Sequence, residues 1–366
     1  MPPLEAWEKV YVASADFMES IHNQPNCIGC HGGTPDTEDK TAAHENVVRD
    51  PTLQNGELCA PCHADIAQLA ETSLHYTTNG YHTVLAARGM DVANDPVAQE
   101  AFDNHCSSCH ATCGECHVSR PRAADGGLIA GHEFKKIASI SNTCLACHGG
   151  RIGPEYQGKN EGVQGDVHWF KGGMPCITCH QVADVHGDGT VYTHRFDGPP
   201  SPDCLSCHPD VAGGEDGIMQ HALHQEQVAC QVCHSAGPYK SCYNCHVGQD
   251  DQGLAFYKTD PSQMTFKIGR NPEKSDERPW EYVLVRHIPA TRDMFSFYGD
   301  NMLPNYDDVP TWKYAVVHNI QRITPQNQDC NNCHGQASLF LTVEDVDPDE
   351  LAANSEVIVE EIPAAR

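Results

Sequence analysis

All 20 cysteines of this 366-residue chain fall in one repeated unit, Cys-x-x-Cys-His, which occurs ten times. The units begin at Cys27, Cys59, Cys106, Cys113, Cys144, Cys176, Cys204, Cys230, Cys242 and Cys330. Their second thiols are Cys30, Cys62, Cys109, Cys116, Cys147, Cys179, Cys207, Cys233, Cys245 and Cys333. A disulfide framework would not place a His after every second Cys. Zinc sites pair Cys-x-x-Cys units without needing a His at the next position. A thioredoxin-like redox pair occurs singly, within a βαβ pattern this chain lacks. Thiols three residues apart can instead reach the two vinyl groups on one edge of a porphyrin, and the adjacent His then lies beneath the iron. The repeat therefore implies ten haem c groups. Their proximal iron ligands are His31, His63, His110, His117, His148, His180, His208, His234, His246 and His334.

Of the 23 histidines, 13 stand outside these units, enough to cap the second face of every iron. The expected distal ligands are His22, His44, His75, His132, His168, His186, His221, His224, His287 and His318. His221 and His224 lie three apart on one helical face, so they are expected to serve two different irons. The spare residues are then His82, His105 and His194. His105 abuts Cys106, while His82 and His194 have near neighbours able to do the same task. Methionine ligation, which raises the potential, is not needed where His is in surplus. Bis-His ligation implies low potentials.

With about 37 residues per unit, the peptide falls below the size that builds its own core, so the haems must serve as the core. Each is a covalent staple and a metal clip that closes a loop. The expected fold is mostly irregular with short α-helices at the attachment units, such as around Ala64 to Thr72, and little β. It is a multihaem cytochrome c fold around a continuous haem chain. The 30 Gly and 24 Pro agree with loop-rich connections. Residues 1–246 hold nine units, 247–329 form a cysteine-free wrapping segment that supplies His287 and His318, 330–340 carry the tenth unit, and 341–366 are an acidic tail. Only Ala111 and Thr112 separate units three and four, and only Ser235 to Ser241 separate eight and nine, so those haems are expected to lie against each other. Val283 to Val285 has the character of a short strand. The tail has eight acidic residues between Glu344 and Glu361 and no Lys or Arg, which reads as loosely attached. Its Val357 to Val359 could alternatively add as a strand to a neighbouring subunit. Asp184, His186 and Asp188 around a Gly-rich turn are a weak candidate for Ca²⁺.

A formal net charge of -27 excludes nucleic acid as a partner, since phosphate contacts need a Lys/Arg surface. It favours basic redox proteins or metal oxides. No run of eighteen apolar residues offers a membrane span. Met1 to Ser20 lacks the basic start and apolar stretch of a signal peptide. Haem attachment occurs outside the cytoplasm, so a signal trimmed from this sequence, or another export route, is expected.

These units resemble those of multihaem c-type cytochromes of prokaryotic extracytoplasmic electron transfer. Residues 106–117 (Cys-Ser-Ser-Cys-His-Ala-Thr-Cys-Gly-Glu-Cys-His), Asp166-Val-His-Trp and His221-x-x-His are similar to stretches in that group. The resemblance covers about residues 22–340. It implies haem-to-haem electron conduction in anaerobic or extracellular respiration, at the cell surface or in the periplasm. Two branches are similar: surface cytochromes, some of which polymerise with copies of themselves into filaments, and decahaem conduits of outer-membrane porins. The 88-residue step from Cys242 to Cys330 departs from the even spacing of the conduits. Electrode-like acceptors are within the group's range. No catalytic residue is identified. A multihaem reductase of a small oxyanion (nitrite, hydroxylamine or tetrathionate) is the alternative, but the Cys-x-x-Cys-Lys unit found in several of them does not occur here. A third reading is an electron-transfer subunit docked to a membrane or porin complex.

Overall fold

The computed structural model describes residues 12, 15–53, 56–160, 162–200, 202–236, 239, 242–261 and 264–366. Most of Met1 to Ser20, and part of the tether between units eight and nine, lie outside them. The described chain is mostly irregular, with short helices and little strand. Three of its helices exceed eight residues: α1 (Ala60–Ala70), α2 (Asn79–Ala87) and α3 (Pro96–His105). In α3, Asp95 caps the start by accepting from the Val97 amide, and Pro96 at the first turn forfeits no bond. Its Ala98, Ala101, Phe102 and His105 are buried, a single apolar face at helical spacing. Helix α1 is kinked at His63 (φ -124°, ψ 42°), so the second attachment unit is a turn of its own before the helix expected near Ala64.

Single helical turns recur at the attachment units. The His amide donates to the carbonyl of the first Cys in Cys59–His63 (2.9 Å), Cys176–His180 (2.9 Å), Cys204–His208 (3.0 Å) and Cys330–His334 (2.8 Å). That bond brings thiols at i and i+3 to one side. The ninth unit departs from the expected helix, because Tyr243–Gln249 form strand β1. Extension would separate its two thiols. A bulge between Tyr243 and Cys245, with Asn244 at φ 48°, interrupts the extension.

The chain divides into two units. The first comprises residues 1–78, 108–149 and 185–191, and the second comprises 79–107, 150–184 and 192–366. Among its described residues the first buries only Ala67 and Val118 as apolar side chains. Large apolar side chains such as Ile28, Leu58, Ile66 and Phe134 stay exposed there. In the second unit, β1 pairs with β2 (Ala255–Asp260) as an antiparallel ribbon. Strands β3 (Lys267–Arg270), β4 (Tyr282–His287) and β5 (Trp312–Tyr314) form an antiparallel sheet in the order β3-β4-β5. Ile268 lies opposite Leu284, Val285 opposite Tyr314, and His287 opposite Trp312. Val283 and Val285 are fully buried, each stabilising by roughly 1.5–3 kcal/mol. The cysteine-free segment therefore builds a sheet core as well as wrapping.

The acidic tail is not loosely attached. Val357, Ile358 and Val359 are buried in that core. Val357 O accepts from the Arg270 amide (2.9 Å), and the Val359 amide donates to Leu341 O (2.8 Å). The charges dominate the segment's composition, but three consecutive β-formers find the edge of their own sheet. Asp184 and Asp188, weighed above for Ca²⁺, each close a local turn, accepting from the amides of Gln181 (2.7 Å) and Thr190 (2.9 Å). Among the described residues no group of three or more His, Cys, Asp or Glu is arranged to hold a metal ion.

Candidate metal centres

Eight of the ten attachment histidines face a histidine from outside the repeat. In the first unit the ring centres are 6.0 Å apart for His31–His132, 6.4 Å for His63–His22, 6.1 Å for His117–His186 and 6.3 Å for His148–His75. In the second they are 6.4 Å for His180–His318, 6.2 Å for His208–His168, 6.0 Å for His234–His221 and 6.1 Å for His334–His224. Edge and offset ring packing spans the same distances, but the recurrence of this spacing at eight attachment histidines sets it apart. It matches a metal ion between them: a metal–imidazole bond of ~2.0 Å on each side, with the ring centre ~1.1 Å behind its nitrogen, gives roughly 6.3 Å. Two imidazoles from opposite sides are the axial donors of a haem iron, and two thiols beside one of them are the attachment points of a haem c. These residues fit the group that the repeat implies. His221 and His224 face different units, the eighth and the tenth.

The remote ring nitrogens are tied back. Nδ1–H donates to a backbone carbonyl in His31 (Val48 O, 2.8 Å), His117 (Lys135 O, 2.6 Å), His234 (Gln321 O, 3.0 Å) and His334 (Ala364 O, 3.0 Å). Opposite them, His168 and His221 donate to Asp166 and Asp216, both at 2.7 Å, and His224 to Gln220 O at 3.0 Å. A donor at Nδ1 leaves the lone pair on Nε2, and the acceptor raises its basicity. Burial, and then the charge of the facing ring, lowers His22 and His132 below the ordinary histidine range, keeping them in the neutral form that metals take. Phe134 stacks flat on His22 at 4.1 Å and orients it. Sequence reasoning missed Asp166 and Asp216 as orienting residues. The available signal was a carboxylate two and five positions before a candidate ligand.

The other histidines divide by their bonds. His287, expected as a ligand, is 3% exposed on β4. Its Nδ1 faces Ile288 O (2.7 Å) and its Nε2 faces Glu350 Oε2 (3.1 Å). Both ring nitrogens are taken up by these protein neighbours, so neither is turned to an attachment unit. His105 is buried, with Nε2 on the Tyr298 hydroxyl at 2.8 Å. His44, also expected as a ligand, is exposed and ties Nδ1 to Lys40 O (2.7 Å) without facing an attachment histidine. His82 packs on Phe102 at 4.4 Å, and His194 Nδ1 accepts from the Phe196 amide at 3.4 Å. Among the described residues no histidine stands at ligand-pair separation from His110 or His246. His110 lies 4.7 Å from the Tyr76 ring, and His246 Nδ1 is 4.0 Å from Asp293.

Thiols of different attachment units also meet, standing where thioether sulfurs would be. Cys59 stands beside Cys113 and Cys109 beside Cys147 in the first unit, and Cys204 beside Cys230 in the second. Units two and four, three and five, and seven and eight are thereby neighbours at their thiol edges.

Over 202 residues the chain is 25% identical to the high-molecular-weight cytochrome c of Nitratidesulfovibrio vulgaris, covering 47% of this chain and 36% of that protein. It resembles multihaem cytochromes c. It is also 27% identical over 141 residues to cytochrome c-type protein NrfB of Escherichia coli O6:H1, covering 32% of this chain and 71% of that one. The chain thus spans little more than a third of the first relative's length. No family model and no solved structure matches it. With the ten attachment units, these likenesses support a c-type cytochrome with several haems.

Proposed function

We propose that this chain is a decahaem c-type cytochrome that carries electrons in extracytoplasmic, anaerobic respiration, and that it is a carrier rather than an enzyme. The observation that carries this reading is the set of eight facing histidine pairs at 6.0–6.4 Å, each joining an attachment unit to a histidine outside the repeat. Bound haem would supply reversible one-electron chemistry at iron. The chain's own residues supply the rest. Thiol pairs fix each porphyrin edge, imidazoles fill both metal faces, and Nδ1 acceptors set the basicity of those imidazoles. The thiol contacts between units support short steps from centre to centre. In the first unit, exposed Ile28, Leu58, Ile66 and Phe134 supply apolar surface for the porphyrin faces that its peptide core lacks.

The acidic surface suits basic redox proteins or mineral acceptors. Assembly into a filament is one form this carrier would take, and a soluble shuttle is the other. Electron microscopy separates them, through regular fibres or isolated particles. The central test is a pyridine haemochrome assay together with spin-state spectroscopy. Ten haems per chain, low-spin at the eight paired sites, is the expected result. Far fewer haems would end the proposal.

A second reading rests on His110 and His246, which among the described residues stand beside Tyr76 and Asp293 rather than a histidine. One of those centres would then keep an exchangeable position and act on a small oxyanion. Carbon monoxide binding to the reduced protein, with turnover of nitrite or hydroxylamine, would select this reading.

A further inference from the structure

Beyond the sheet core, the tail doubles back onto the tenth attachment unit. Val357 O and the Val359 amide anchor it upstream to Arg270 and Leu341. Its last residues then bond the unit itself. The Gly335 amide donates to Pro363 O at 2.7 Å. His334 Nδ1–H donates to Ala364 O at 3.0 Å. Asn331 exchanges two bonds with Arg366: its Nδ2 donates to the carbonyl (2.7 Å), and its Oδ1 accepts from the amide (2.8 Å). Gly335 has φ 76°, and a Cβ there would stand 3.2 Å from Ala365 Cβ, so a side chain would strain the turn and crowd the strap.

Three other attachment histidines also donate to carbonyls, but those acceptors lie between other ligands of the chain. The acceptor for His334 lies beyond the last Cys and the last His, so removing it leaves every thiol and imidazole in place. We propose that residues 363–366 are a positioning strap for the tenth centre, whose Ala364 carbonyl fixes the His334 tautomer and holds that centre at a low potential. This rests on the reading that Cys330, Cys333, His334 and His224 hold a haem. The carbonyl draws the Nδ1 proton and enriches Nε2, which favours the more highly charged ferric iron. Losing the bond therefore raises the potential. Because the contact is exposed, water partly replaces the carbonyl and limits the change.

The test compares the full holoprotein with a chain ending at Ile362, using haem counting, spin state and potentiometric titration. The expected result is an unchanged haem count, all paired sites low-spin, and one component moved upward. Its one-electron equilibrium should change about three- to tenfold, at most about 59 mV. Superimposable titrations with full haem content would overturn the strap while leaving the cytochrome reading intact. A missing tenth haem in the full-length protein would instead remove the reading on which the strap depends. If the shortened chain fails to hold its haems, Gly335→Ala in the full chain takes its place. An upward shift of one component there supports the strap, and an unmoved titration overturns it.

Discussion

His287 is the sharpest place to ask whether a histidine serves iron or the fold. Replacing it with Phe keeps the volume and removes both hydrogen bonds. Glu350 then keeps only the Thr311 hydroxyl (2.6 Å), and Ile288 O loses its donor. Each orphaned buried group costs about 1–3 kcal/mol, more for the Glu350 carboxylate, so the two together cost roughly 3–5 kcal/mol. Such a loss would speed amide exchange by about two to three and a half powers of ten where exchange requires this sheet to open. Hydrogen-exchange mass spectrometry of peptides covering 282–287, 311–314 and 350–359 reads it directly. The haem count, the spin states and the redox titration should not change. A new high-spin centre, or a lost haem with unaltered exchange, would make His287 a ligand and refute the argument from its two acceptors.

Three further outcomes are expected. His132→Met should raise the potential of the first centre and leave the others nearly fixed, since a thioether favours ferrous iron; a titration in which no component moves would dissociate His132 from His31. Gly214→Ala should turn the eighth and tenth centres high-spin. Gly214 has φ 67°, and a Cβ there would stand 2.5 Å from Ala222 Cα, in the short helix that bears His221 and His224; the strained backbone alone costs about 1–3 kcal/mol. The third concerns acid. Burial pushes Glu350 and Asp345 up, but hydrogen bonds from His287 and Thr311 on the one, and from Lys267 and Thr342 on the other, leave both below the ordinary carboxylate range. Their stabilisation is complete above about pH 4–5 and is lost as pH falls through the lower folded values. Denaturation midpoints should be flat from pH 7 to 5 and drop below 4; a drop already between 7 and 5 would point to other groups.

The attachment units were legible because their chemistry is local. Two thiols and an imidazole within five residues need no tertiary information. The pool of facing ligands was legible by number, but not the pairing, because long-range folding decides that His132 rather than His22 stands over His31. His287 was misread for a similar reason. It ends an apolar strand, Tyr-Val-Leu-Val-Arg-His, and a histidine there points into a sheet core, where Glu350 awaits it. That carboxylate is far away in sequence, so nothing near His287 announced it. The tail misled through its charge, which hides a buried Val-Ile-Val.

The facing pairs interleave along the chain. His22 precedes the first unit but stands over the second, His132 reaches back to His31, and well over a hundred residues separate His180 from His318. The first, fourth and sixth centres wait for a histidine downstream of their own unit, whereas the second, fifth, seventh, eighth and tenth meet one already upstream. A chain emerging from its N-terminal end must therefore leave those three centres open on one face until His132, His186 and His318 arrive. Each late closure costs little more than an early one, since loop entropy grows slowly with length. What the threading changes is the order of events: the sixth centre waits longest, and a stop before His318 would strand it half-dressed.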